Sequence, residues 1–307
     1  MGTPDFAVPS LEMLINEGYD VAAAVTQPDK PKGRGNRMSA PPVKEFALKH
    51  GIEVLQPEKI KTQDFIEQIR ALKPDLLITA AYGKILSKDL LDVPVLGCIN
   101  VHGSLLPAYR GAAPINWAVI NGESKTGITT MFTDVGLDTG DMLLRKELAI
   151  GPDMNVGELH DKMAVLGAEV LKETLLELKK GTLERIPQED AASTYAPMMS
   201  KELGLIDWNK TAREIHNLVR GTDPWPGAYT FIEGSRMRVW KTSLVPQASD
   251  SSRPNGEILK VDDEGILVKC SDENLLIREV QFDSSKRMSV RDYIRGHQIN
   301  TGETLGK

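Results

Sequence analysis

The 307-residue sequence predicts a two-domain protein of the α/β class: a parallel, Rossmann-like sheet with helices on both faces, followed by a small OB-like β-barrel. Three observations carry that prediction. Short apolar runs alternate with helix-period segments as far as Gly181, the pattern of parallel strands joined by helical crossovers. Beyond Leu203 the pattern changes to short strands divided by turns such as Glu233-Gly234-Ser235 and Asn255-Gly256, a spacing that suits a barrel. Between the two, Pro187–Leu203 is small, polar and without a period. The expected boundaries are therefore 1–187 for the first domain, 188–203 for a linker and 204–307 for the second.

In chain order, Gly2-Thr3-Pro4-Asp5-Phe6 reads as a tight turn entering a helix that runs to Glu17-Gly18, and Val21–Thr26 as a short strand. Gln27–Pro42 holds Pro28, Pro31, Pro41 and Pro42, with Gly33 and Gly35 between the cations Lys30, Lys32, Arg34 and Arg37. It is too long and broken for a simple turn, and by composition alone it is a solvated loop. Helices follow near Val43–His50 and Gln63–Lys73, the second with Phe65, Ile66, Ile69 and Leu72 on one face. Strands are expected at Ile52–Leu55 and Asp75–Ala81, and the latter is apolar enough to be buried on both sides. Gly127–Asp134 and Met142–Ile150 read as two more strands. Asn155 with Glu158 forms a capping box opening a long helix whose core face is Leu159, Met163, Leu166 and Val170.

Composition excludes several classes. Apolar residues at 41% and charged residues at 26% fit a globular chain able to bury two cores. No apolar run approaches the roughly 20 residues of a membrane span, and no signal peptide is visible. Cys98 and Cys270 lie far apart without metal-ligand spacing, so reduced thiols, a cytoplasmic location and no metal are expected. Net charge is −6, and from Lys201 onward 16 basic residues balance 16 acidic ones, out of 37 and 43 in the chain. The acidic excess thus lies in the first part, and any RNA contact must rest on local basic patches. Arg236 and Arg238 share a strand face and could track phosphates or simply be solvated.

The chemistry concentrates at Gly97–Pro107. Ile99 and Val101 alternate with Asn100 and His102, so the amide and the imidazole project from one face where a strand ends at Gly103. In parallel α/β sheets, sites lie outside the carboxyl ends of strands. An amide beside an imidazole suits acyl transfer, one donating to a developing oxyanion and the other moving a proton. The same pair also suits a turn that merely satisfies its own polar groups. Asp138 lies in the loop between the next two strands, where aspartate often bonds its own backbone.

The run Asn100-Val101-His102-Gly103-Ser104-Leu105-Leu106-Pro107, continued by Tyr109-Arg110-Gly111, closely resembles the signature of the folate-dependent formyltransferases. Asp134–Asp141 is similar to the acidic loop of that family, and Asp223–Tyr229 to a stretch of its C-terminal domain. The resemblance runs from Gly2 to about Gly296. It implies transfer of a formyl group from 10-formyltetrahydrofolate, a cosubstrate, to the α-amino group of methionine on initiator tRNA, by a monomer. It assigns catalysis to Asn100, His102 and Asp138, and folate binding to Ser104, Leu105, Leu106 and Pro107. The basic loop, through Lys32, Arg34 and Arg37, is implied to grip the acceptor end of the tRNA. An apolar strand precedes the Gly2–Phe6 turn in that family, and a start later than the natural one is the expected reason it is not seen here. Two other readings stay open: formyl transfer to a small amine, such as a sugar nucleotide or glycinamide ribonucleotide, and a non-catalytic RNA-binding protein on the same scaffold.

Overall fold

The computed structural model describes residues 1–32, 37–248 and 250–306. They form two compact units: Met1–Pro114 with Lys125–Ala149 and His160–Pro197, and Ile115–Ser124 with Ile150–Leu159 and Met198–Lys307.

In the first unit, α1 (Val8–Asn16) begins with Pro9 in its first turn, where the missing N–H costs nothing, and is followed by Gly18 at φ +74°. Next come β1 (Ala24–Val25), β2 (Lys30–Lys32), β3 (Arg37–Ser39), α2 (Pro42–Lys49) and β4 (Val54–Leu55). The basic stretch is thus a two-stranded antiparallel ribbon in which Lys32 and Arg37 are register partners. Arg34 lies outside the described residues. The helix α3 (Gln63–Ala71) buries the expected Phe65, Ile66 and Ile69. After it come β5 (Leu77–Ala80), α4 (Lys88–Leu91), β6 (Cys98–His102), β7 (Arg110–Gly111), α5 (Pro114–Ile120), β8 (Lys125–Phe132), β9 (Met142–Ala149), α6 (Val156–Lys180) and β10 (Tyr195–Ala196); of these, α5 beyond Pro114 and the first turn of α6 belong to the second unit. Asn155 and Glu158 exchange the two hydrogen bonds of the capping box at the start of α6.

The main sheet has the order β5-β6-β8-β9. β5 and β6 are parallel, but β6 with β8 and β8 with β9 are antiparallel. The all-parallel expectation is therefore corrected to a mixed sheet. Strands β8 and β9 are joined directly by the loop 133–141 with no helix between, and such a connection reverses the chain. Met1 and Gly2 lie between the parallel β1–β4 pair and β5: the Gly2 N–H donates to the Val25 carbonyl and the Ala80 N–H to that of Met1, each at 3.0 Å. Beside them is a cavity of about 460 Å³ walled by Leu11, Leu14, Val25, Ile69, Leu77 and Leu175 among others. A core that includes Phe65, Ile66, Ile69, Leu90 and Cys98 anchors the start of β6. Residues 188–203 contain β10, which pairs in parallel with β7, so that the part up to Pro197 packs within the first unit.

The second unit has α7 (Ala212–Thr222), opened by a Thr211–Glu214 capping box. β11 (Ala228–Ile232), β12 (Ser235–Ala248), β13 (Ile258–Asp262), β14 (Gly265–Lys269), β15 (Glu273–Phe282), β16 (Met288–Ser289) and α8 (Val290–Tyr293) follow. The strands run antiparallel in the order β11-β12-β15-β14-β13, with β16 added to β15. Among the described residues no ladder joins β13 to β11, so the pairing is that of an antiparallel sheet. Its core gathers Ile215, Val219, Met237, Val239, Ile277 and Val280, the inward sets of α7, β12 and β15.

Candidate active site

The site is built on the last residues of β6. Asn100 is in register with Thr79 of β5 and Met131 of β8, and His102 with Thr129 of β8. The Thr79 hydroxyl donates to Asn100 Oδ1 at 2.8 Å. Among the described residues no acceptor takes the Asn100 Nδ2 hydrogens, so the amide keeps its donors for a ligand.

His102 Nε2 is 3.0 Å from the carbonyl oxygen of Tyr109. A carbonyl only accepts, so Nε2 carries a proton, and Nδ1 is the nitrogen whose protonation can change. Nδ1 faces Asp138 Oδ2 at 3.7 Å, with the two side chains only 6% and 16% exposed, where water screens the pair weakly. At that distance the contact is Coulombic, with a water or a reacting group needed to complete a hydrogen bond. The same Oδ2 accepts from the Gly111 N–H at 2.8 Å, which fixes the carboxylate against the end of β7. Tyr109 and Asp138 both adopt left-handed backbone, at φ +59° and +54°. Non-glycine residues at such angles carry a cost of about 1 kcal/mol or more, and here both lie in the segments framing one imidazole.

The acidic loop is held from two sides. Asp134 Oδ1 accepts from the Gly136 N–H and from the Thr139 hydroxyl. Gln188 Nε2 donates to the carbonyls of Asp138 and Gly140 at 2.9 and 2.8 Å, and its Oε1 accepts from Arg110 Nε at 3.0 Å. Arg110 also pairs with Asp190 at 2.8 Å. Arg110 stood within the recognised motif without a role. Gln188 and Thr79 carried no sequence signal, because each meets its partner only through the fold.

The Ser104–Pro107 turn is largely self-satisfied. Thr129 Oγ1 donates to the Ser104 carbonyl and accepts from the Leu106 N–H, while the Ser104 hydroxyl donates to the Ala108 carbonyl. Ser104 and Leu106 are fully buried, whereas Leu105 and Pro107 keep some exposure. The first two hold the turn, and the second two can meet a ligand. Gly127 lies beneath: a Cβ there would stand 2.0 Å from the Lys146 carbonyl and 2.6 Å from Leu105 Cδ2, so no larger residue fits. Among the described residues no three His, Cys, Asp or Glu side chains are grouped to hold a metal ion, and no helix is long and apolar enough to cross a membrane.

An amide with free donors, an imidazole with one variable edge and a half-buried carboxylate on a mixed α/β sheet define a group-transfer enzyme of the acyl type. Residues 1–175 match the family model for formyl transferase, and 198–298 that for the formyl transferase C-terminal domain; the chain belongs to the formyl transferase family. Among its relatives, the methionyl-tRNA formyltransferase of Ruminiclostridium cellulolyticum is 73% identical over all of this chain and 98% of the relative. That of Acetivibrio thermocellus is 61% identical over the same shares. The fold is also that of WlaRD, a sugar 3N-formyl transferase, at a TM-score of 0.67, 17% identity and coverage of 93% of this chain and 97% of the other.

Proposed function

We propose that this enzyme transfers a formyl group from 10-formyltetrahydrofolate to the α-amino group of methionyl-initiator-tRNA, supplying formylmethionyl-tRNA for translation initiation. The observation that carries the chemistry is the pinning of His102 Nε2 on Tyr109, which turns Nδ1 toward Asp138. Full-length identity to methionyl-tRNA formyltransferases supports the choice of acceptor. Addition of the unprotonated amine to the formyl carbon forms the new C–N bond and places negative charge on the formyl oxygen. Asn100 Nδ2 donates to that oxygen, and His102 adds a second donor through protonated Nδ1. Asp138 stabilises the charged ring and accepts the amine proton through a water. As the bond to the folate nitrogen breaks, one proton returns to that nitrogen, so the balance closes.

In this reading, residues 1–187 hold folate and the reacting groups, with Leu105 and Pro107 lining the folate site over the turn that Ser104 and Leu106 hold. Residues 188–203 connect to a tRNA-binding unit at 204–307, read as OB-like because the 14-residue β12 shifts register after Val239 and Val245, as strands do at barrel corners. Lys32, Arg34 and Arg37 contact the acceptor end. The enzyme works as a cytoplasmic monomer. The test is formyl-folate incubated in parallel with methionyl-tRNA, free methionine, glycinamide ribonucleotide and an amino-sugar nucleotide. Formylation of methionyl-tRNA alone is expected; preference for any small amine overturns the assignment.

A further inference from the structure

A carboxamide has two ends of similar size, and Asn100 serves an oxyanion only when its NH₂ group is the end presented. The strand alone does not decide this, because a half-turn about the last side-chain bond exchanges oxygen and nitrogen. We infer that Thr79 is a positioning residue that sets the orientation of the Asn100 amide. This rests on the reading of Asn100 as the oxyanion donor.

Three observations support it. Thr79 lies directly opposite Asn100 in the parallel β5–β6 ladder, so the backbone register itself brings the two side chains together. Its side chain is buried, and its hydroxyl donates to Asn100 Oδ1 at 2.8 Å. The third concerns direction, since a hydroxyl can donate or accept. Here it donates to Oδ1, and among the described residues the Asn100 side chain makes no other hydrogen bond, so the amide orientation rests on Thr79 and leaves both Nδ2 hydrogens free for the substrate oxygen.

The test uses the full-length protein with Thr79→Val, which keeps the shape and removes the hydroxyl, and Thr79→Ser, which keeps the hydroxyl. Thr79→Val is expected to lower the single-turnover formylation rate about tenfold, the weight of one oriented hydrogen bond. KM values for folate and methionyl-tRNA should stay within about twofold, and Thr79→Ser should recover most of the rate. In an Asn100→Ala background, Thr79→Val should have no further effect. A Thr79→Val rate equal to the parent, or the same loss in the Asn100→Ala background, would overturn the inference. The side-chain amide resonances of Asn100 give a readout independent of activity: they should shift and broaden in Thr79→Val and return in Thr79→Ser. Unchanged resonances would also overturn it. If the parent itself fails to formylate methionyl-tRNA, the proposed function falls, while these spectra still decide the orientation.

Discussion

Gln188 reaches back to the main chain of Asp138, donating to its carbonyl at 2.9 Å and to that of Gly140 at 2.8 Å. One amide thus spans the turn in which Asp138 holds a left-handed backbone angle. The loop that presents the carboxylate to His102 is braced from outside the strands that flank it.

Removing the brace should therefore cost catalysis more than folding. Gln188→Ala leaves two carbonyls and Arg110 Nε without their partner, a loss of about 1–3 kcal/mol where water does not replace it. The expected result is a single-turnover rate lowered about tenfold, with a modest fall in the urea midpoint. A rate unchanged from the parent would show that the Asp134 turn and the Gly111 N–H hold Asp138 by themselves.

His102 and Asp138 should behave as a unit. His102→Ala and Asn100→Ala are each expected to lower the formylation rate about a hundredfold or more, the usual weight of a transition-state donor, with folate affinity little changed. Asp138→Asn alone should be strongly impaired, yet adding it to His102→Ala should cost little more. Rates measured for the singles and the double decide this. Fully multiplicative losses would mean that the 3.7 Å contact carries no coupling.

Much of the site was legible because it is local. Asn100 and His102 share a face through the period of two, and their motif continues without a break into Arg110 and Gly111. Asp138 was legible through its own loop. What the sequence withheld is long-range: Thr79 meets Asn100 across a ladder, and Gln188 meets Asp138 across 50 residues. The direction of β8 against β6 was also hidden, since apolar runs look alike in parallel and antiparallel sheets. The burial of His216 against Thr242 is hidden for a similar reason, since Thr242 comes to it only through the fold.

That buried histidine predicts a pH dependence of stability. Nε2 lies 3.1 Å from the Pro152 carbonyl and so carries the proton, while Nδ1 accepts from the Thr242 hydroxyl at 2.9 Å. Both edges suit the neutral ring. Burial pushes the imidazole below its ordinary value; Arg220 and Arg213 act in the same direction, and the Pro152 carbonyl and Asp153 oppose them. The unfolded chain then takes up the proton first as pH falls. The contribution of the neutral ring is complete above the unfolded value of 6.5 and is lost as pH falls from there through the lower folded value. Urea midpoints should decline between pH 7.5 and 5.5, and the decline should be shallower in His216→Gln. Asp223, pushed up by burial, acts with the opposite sign, so Asp223→Asn is the control. An equal slope in His216→Gln would exclude the histidine as the source.

The basic ribbon gives the remaining prediction. Lys30 and Ser39, Pro31 and Met38, and Lys32 and Arg37 are partners in the backbone register of β2 and β3, and Arg34 lies between Lys32 and Arg37 in sequence. A guanidinium holds a phosphate through two parallel hydrogen bonds, and an ammonium does so only as a point charge. Arg34→Ala should weaken methionyl-tRNA binding while leaving folate affinity unchanged. Each phosphate contact releases condensed counterions, so the variant should also flatten the dependence of tRNA affinity on salt by about one contact. Arg34→Lys restores the charge without the fork. Recovery of the salt slope with only partial recovery of affinity is the expected pattern, because the slope counts charge and the affinity also counts geometry. The measurement is tRNA affinity across a salt series for the parent and both variants, with folate affinity alongside. If Arg34→Ala keeps both the affinity and the slope of the parent, the ribbon is a solvated surface feature, and the grip on the acceptor end must lie elsewhere in the chain.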